Sequence, residues 1–494
     1  ARPQRRRAVE ALAPRLLDAV ARSSDPSRAL SGLVEFLIRT GAHTSYLALL
    51  SGSPKTMEIL VSLFASSPYL ASHLVGHPEL IDSLVRADSA AAPEPVAEDL
   101  RTSLRLQLEA AMPPAPAGQK HAPIDEEAVL SVLRRFRVAE LLRIGMNDLA
   151  GALPSEAVHR ALTTLAEVVL VEALEASRRL VAARMAGPWE RVRLAVLAMG
   201  KLGAREMSYG SDLDLVFVYD AGGAERTADN PDGGYDADVH VLVTKWVQKL
   251  ISLLSARTRD GVAYEVDARL RPSGRSGPLV TSLASFLQYH SAEAELWERQ
   301  ALIRARVVYA DGDLTARIDR ALSARVWSAP IAAEGMAEIA SLRARVEDEL
   351  AGEDKERLNI KTGRGGIVDI EFLVQMMQLR YGTDHPSVRR RSTVDALEAL
   401  RDERLLPAAE ADALLGHYRF LRRLEARLRL ERDRPVEQLG TDPAGLAPLA
   451  IRLGYADDDP GRKLLDDYQR TREAVRTLYL SSFAADPAGE AKLR

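Results

Sequence analysis

The stretch from Leu194 to Asp220, LAVLAMGKLGAREMSYGSDLDLVFVYD, leaves the fold least freedom. Its apolar opening, Leu194 to Met199, has the length of a buried strand; it breaks at Gly200-Lys201-Leu202-Gly203 and runs into a second strand from Ser211 to Val218. Alternation along that strand puts Asp212 and Asp214 on one face and Leu213, Leu215 and Phe217 on the other. Two carboxylates side by side repel each other and resist burial unless a divalent cation lies between them, so the pattern predicts a Mg²⁺ site. The glycine-bearing turn at 200–203 brings backbone close to a phosphate held by that metal, and Ser211 adds a hydroxyl.

A third acid follows. Tyr264 to Pro272, YEVDARLRP, reads as another strand with Glu265, Asp267, Arg269 and Arg271 on one face and Val266, Ala268 and Leu270 on the other. Asp267 then completes a carboxylate triad. The loop Pro272 to Pro278, beside Arg269, Arg271 and Arg275, reads as a cradle for a triphosphate.

These features resemble the polymerase-β-like nucleotidyltransferases. GKLGAREMSYGSDLDLVF, YEVDARLRPSGRSGPLVTS, WERQALIRARVV and GRGGIVDIEFLVQ, in that order, resemble more narrowly the glutamine synthetase adenylyltransferase family, strongly over residues 190–385. Lys201 departs from the small residue usual in the wider superfamily and agrees with the narrower family. The resemblance implies AMP transfer between ATP and a tyrosine of glutamine synthetase. Asp212, Asp214 and Asp267 would be the catalytic, Mg²⁺-binding residues, and Gly200, Lys201, Ser211, Arg269 and Arg271 would bind the nucleotide. It implies ATP, glutamine synthetase and a PII-type regulatory protein as partners. Enzymes of this family carry two such modules and this chain shows one, so it is expected to be one half of such an enzyme. The lead-in SYLALLSGSPKTMEILVSLFASSPYLASHLVGHPELID, the form YGSDLDLVFVYD and the segment Arg304 to Gly312 look more like the carboxyl-terminal, AMP-attaching half. The alternatives are the de-adenylylating half, with phosphate as nucleophile, and a helical scaffold with a degenerate core, against which the intact acids count.

At 494 residues the chain is long for one domain. Three units are expected: 1–123, a helical segment ending in a proline-rich linker over 88–123; 124–312, the nucleotidyltransferase domain with leading helices; and 313–494, a helical domain. The fold class is α+β and mostly helical, a small mixed sheet between helical segments. A net charge of −4 offers no basic excess for nucleic acid, and the absence of cysteine excludes disulfides and thiolate metal sites. No apolar run approaches the roughly 18 residues that cross a bilayer, and no signal peptide is evident, so a cytoplasmic protein without membrane contact is expected. The arginines at 134, 135, 137 and 143 and the run LRRLEARLRLERDR at 421–434 read as solvated helix faces. Trp297 to Arg306 reads as a helix whose Arg299, Arg304 and Arg306 reach phosphates or internal carboxylates. In the glycine loop at 359–366, Lys361 and Arg364 are placed to reach phosphates; Asp369 and Glu371 after it cap the helix, pair with arginines or join the chemistry.

Overall fold

The computed structural model describes residues 2–41, 44–81, 94, 96–113, 124–221, 236–431 and 436–484. The polar loop after Ala221 and most of the proline-rich stretch expected over 88–123 lie outside these, apart from the helix Ala97–Ala111. The chain opens with helices Arg2–Ala21, Pro26–Arg39, Thr44–Gly52, Pro54–Ser66 and Pro68–Gly76. Serine-proline pairs start two of them. Ser53 Oγ accepts the Thr56 N–H at 3.1 Å and Ser67 Oγ that of Leu70 at 3.2 Å, while each proline sits where no amide is needed.

The middle of the chain runs through α1 (Glu126–Leu149), α2 (Ser155–Ala182), β1 (Arg193–Ala198), α3 (Gly200–Ala204), β2 (Leu213–Asp220), α4 (Ala237–Ser255), β3 (Val266–Asp267), β4 (Val280–Ser282) and β5 (Arg306–Ala310). The strands form one mixed sheet in the order β3-β2-β1-β5, with β4 also on β2; β1 is antiparallel to β2 and β5, while β3 and β4 are parallel to β2. Each central strand feeds two cores. Leu213, Leu215, Phe217 and Tyr219 join the core built with α1, α2, α4 and the N-terminal helices, whereas Val216 and Val218 join the core of the C-terminal helices. A sheet covered on both faces explains why β1 is apolar from Leu194 to Ala198 rather than alternating.

The C-terminal part comprises α5 (Ala333–Leu350), β6 (Arg357–Asn359), α6 (Ile367–Tyr381), α7 (Thr393–Asp402), α8 (Ala408–Leu430), β7 (Gln438–Gly440) and α9 (Pro460–Ala484). Four expectations change. The helix predicted through Arg306 stops at Leu302, and Arg306–Ala310, with Val307, Val308 and Tyr309, pairs with β1 as a strand. The strand predicted over 264–272 keeps only Val266 and Asp267, because the Arg269 N–H turns back onto Asp267 Oδ1 at 2.9 Å and Arg269 and Arg271 leave the sheet. The region after Gly312 is not wholly helical, since β6 and β7 pair antiparallel.

The fourth concerns charge. Arg134 is fully buried and donates to the carbonyls of Leu130, Leu253, Ala256 and Gly261, two of which are unpaired acceptors at the end of α4. Arg137 is buried beneath the Tyr264 ring at 4.8 Å, while Arg135 and Arg143 keep partly exposed acid partners. The run at 421–434 is equally misread as solvated, for Arg422, Glu425 and Arg429 of α8 are buried. Its residues 432–434 lie outside the described set. Among the described residues no single helix is long and apolar enough to cross a membrane.

Candidate active site

The parallel pairing of β2 with β3 sets Asp214 directly beside Asp267, and the Leu213 N–H donates to the Glu265 carbonyl at 2.9 Å to fix that register. Residues in register on neighbouring strands point to the same face. Asp212, two residues before Asp214, shares it. Behind the acids the break at 200–203 is not an open turn but the five-residue helix α3. The Met199 N–H donates to the Asp214 carbonyl at 2.9 Å, which holds the start of α3 against β2. Gly200 has φ +50° and lies so close that a Cβ there would strike the Asp214 carboxylate; a Cβ at Gly203 would strike the Arg304 carbonyl. Close approach therefore requires both glycines of GKLG, and at Gly200 the left-handed backbone does so as well.

The acids are electrically out of balance. Burial first, and then the neighbouring Asp267 and Asp212, push the Asp214 carboxyl up to about 6. Asp212, more exposed, is raised for the same reasons, burial ahead of Asp267, with Arg429 and Lys361 opposing. Asp267 goes the other way. Burial works to raise it, but hydrogen bonds from Arg269 outweigh this and hold it below the ordinary carboxylate range. Arg269 Nε lies 2.7 Å from Asp267 Oδ2, and its Nη2 also bonds that oxygen. With Asp267 clamped in this way, the described residues contain no ready-made cage of three metal-binding side chains. The donors nonetheless suit a hard divalent cation. Asp212 and Asp214 are oxygen ligands whose charge lacks a counterion, and Asp267 becomes a third if Arg269 turns to an anionic substrate.

Cations reach this end of the sheet from far along the chain. Lys201, on α3, donates to Glu425 Oε1 of α8 at 2.5 Å, and Glu425 also pairs with Arg422 and Arg429 at 3.1 Å each. Burial, with Arg422, Arg429 and Lys361 nearby, lowers Lys201 to about 7 despite Glu425. Arg429 also reaches Ser211 Oγ at 3.4 Å and Glu437 at 3.2 Å, while Lys361 Nζ meets Glu437 at 2.8 Å. Ser211 Oγ accepts the Ser208 N–H at 3.2 Å. Sequence reasoning passed over Glu425 and its arginines. Their spacing, 422, 425 and 429, was the available signal, because it places three charges on one helix face flanked by Leu421 and Leu424.

The other charged candidates have internal partners. Arg271 spends its guanidinium on the carbonyls of Ala268, Arg275 and Gly277, which shapes the loop after β3. Arg299 donates to the Val326 and Ala329 carbonyls, Arg304 to Thr393, and Arg306 to Glu167 and the Leu202 and Gly203 carbonyls. Glu371 pairs with Arg304 at 3.2 Å, and Asp369 is enclosed by Arg343, Arg476 and the Gly365 N–H. Arg364 lies half-exposed 3.6 Å from Glu473.

A family model for glutamate-ammonia ligase adenylyltransferase matches residues 57–321, more than half of the chain and all five strands of the main sheet. A second, for GlnD PII-uridylyltransferase, matches residues 340–483, which include Lys361 and Glu425.

Proposed function

Because this chain belongs to the glutamate-ammonia ligase adenylyltransferase family and is a nucleotidyltransferase, we propose that it transfers AMP from ATP to a tyrosine hydroxyl of glutamine synthetase. The observation that carries this reading is the uncompensated charge at Asp212 and Asp214 beside Asp267, faced by Lys201, Lys361, Arg269 and Arg429. Acids that repel one another suit a cation, and cations around them suit a polyphosphate.

In the proposed reaction the tyrosine oxygen attacks the α-phosphorus of ATP, the bond from that phosphorus to the bridging oxygen breaks, and pyrophosphate leaves. Asp212, Asp214 and Asp267 would hold Mg²⁺, which when bound neutralises phosphate charge and favours the ionised hydroxyl. Asp267, held ionised by Arg269 until the phosphates draw that arginine away, then takes the hydroxyl proton. Lys201 in its protonated form holds the triphosphate, the Gly200 backbone lets it approach, and Ser211 donates to it. Arg269 is released to the phosphates as they arrive. Arg271 contributes by shaping the loop that carries Arg269 and Arg275.

The adenylylating direction is the finer part of this reading. Lys201, Lys361 and Arg429 act on the acids electrostatically, and departing pyrophosphate needs such positive charge. The PII-uridylyltransferase match over the C-terminal helices favours a PII-type protein as a regulatory partner. ATP as donor and the lack of cysteine fit a cytoplasmic setting.

The chain incubated with Mg²⁺ and ATP labelled in the α-phosphate should label unmodified glutamine synthetase. No forward transfer, together with release of ADP from adenylylated glutamine synthetase on adding phosphate, would reverse the direction. Neither reaction would remove the proposal.

A further inference from the structure

At the end of α3 away from Asp214 lies an open cleft of about 680 Å³, walled by the start of α2, residues 203–206, Arg306, the segment Arg389–Ser392 and α8. It shares none of Lys201, Asp212, Asp214 or Asp267. Eight arginines line it against four carboxylates; Arg160, Arg306, Arg391, Arg419 and Arg422 pair with Glu94, Glu167, Asp319, Glu156 and Glu425, which leaves Arg205, Arg389 and Arg390 without an acid partner among the described residues. Two acids are already committed: Glu156 accepts from Arg419 at 2.7 Å, and Glu206 accepts from the Thr393 N–H at 2.7 Å and the Tyr418 hydroxyl at 2.9 Å.

The Arg205 side chain is exposed and makes no hydrogen bond or ion pair among the described residues. The exposed Arg390 side chain donates only to the Ser387 carbonyl, at 2.9 Å. Arg391 donates Nε to the Ala305 carbonyl at 2.8 Å and lies 3.7 Å from Asp319. Burial, partly offset by Asp319, and to a smaller extent the charges of Arg306 and Arg205 hold its guanidinium below its ordinary range. His159 stands in the wall, 6% exposed, with Nε2 lacking a hydrogen-bond partner. Finally, the ten-residue helix α7 begins at this wall with Ser392 as its cap, adding the positive end of its dipole.

We propose that this cleft binds a small molecule bearing phosphate groups, at a site separate from the carboxylate site. Forked guanidinium donors match phosphate oxygens in pairs, and several fixed positive charges favour a multiply charged anion over a single carboxylate. The volume exceeds what one inorganic ion fills and falls in the range of pockets for organic ligands. The inference does not rest on the direction or the substrate of AMP transfer.

Calorimetric titration of the whole chain with pyrophosphate in EDTA tests it, because without divalent cations the repelling carboxylates disfavour an anion at the other site. One molecule should bind per chain. The double variant Arg205→Ala/Arg390→Ala should bind at least about tenfold more weakly, since each charge-assisted contact is worth roughly a factor of ten. Arg269→Ala, at the carboxylate site, should bind as the wild type does. Both arginines are exposed, so circular dichroism should show an unchanged fold. No binding by the wild type would overturn the proposal, as would full affinity in the double variant or loss of affinity in Arg269→Ala.

Discussion

Two groups of carboxylates lie at opposite ends of a comparison. Asp369 is fully buried, yet its oxygens accept from Arg343 Nε at 2.5 Å, Arg476 Nη1 at 3.2 Å and the Gly365 N–H at 2.9 Å. Asp214 is largely buried too, but its nearest charged influences are two further acids, and its carboxyl rises to about 6. One cluster is a finished structure, with acceptors filled and charge balanced. The other is left unfinished in a fold that had arginines to spend. Compensated burial ties α5, α6 and α9 together, whereas uncompensated burial stores a preference for a cation. The difference separates an architectural acid from a candidate catalytic one when both carry the same side chain.

Substitution at each site should therefore break different properties. Asp214→Asn should lower AMP transfer on the order of a thousandfold, since the lost group acts where charge develops. Circular dichroism should show an intact fold, and near-normal turnover would remove Asp214 from the site. Asp369→Asn should do the reverse. Leaving buried Arg343 with only the more distant Glu347, 3.5 Å away, should cost up to about 3 kcal/mol in denaturant unfolding, with turnover per folded molecule preserved. Equal stability would mean that the pair is dispensable.

A smaller effect sharpens the link between the two halves of the chain. Lys201 ionises near 7 with Glu425 beside it, and only its protonated form attracts phosphate. In kcat/KM against pH, activity should fall as pH rises through that value. Glu425→Gln removes the strongest influence that raises Lys201, so this alkaline limb should move down by about one unit, a factor of ten at fixed pH above it. Lowering the pH should restore much of the loss. An unmoved limb would show that Glu425 does not set Lys201.

The sequence made β1, β2 and their acids readable because a long apolar run, a glycine break and a D-x-D alternation admit few other folds. Asp267 was readable for the same reason, in the sense that an acid in a strand pattern could be matched to the first two. What followed it was not. Arg269 reads as a strand residue until the backbone is seen to turn back onto Asp267. β5, β6 and β7 are three to five residues long, too short to announce a period against helical neighbours. Glu425 was hidden by distance. A charged stripe on a helix reads alike whether it meets water or a lysine 224 residues away, and only tertiary packing decides. The buried Arg134 was misjudged likewise, since its acceptors are carbonyls, which no side-chain pattern reveals.

The most direct test of uncompensated charge is the unfolding free energy of Asp214→Asn and of the wild type, in EDTA, from pH 4 to pH 8. The Asp214 carboxyl is raised in the folded state from 3.8 to about 6. Within that window the folded chain keeps a proton that the unfolded chain releases, so the wild type loses stability as pH rises, and the cost is complete above about 6. Asparagine carries no such cost. The account predicts no gain from the substitution near pH 4, growing to roughly 2 kcal/mol at pH 8. A variant that is less stable than the wild type at pH 8, or a difference that stays flat across the range, would contradict it.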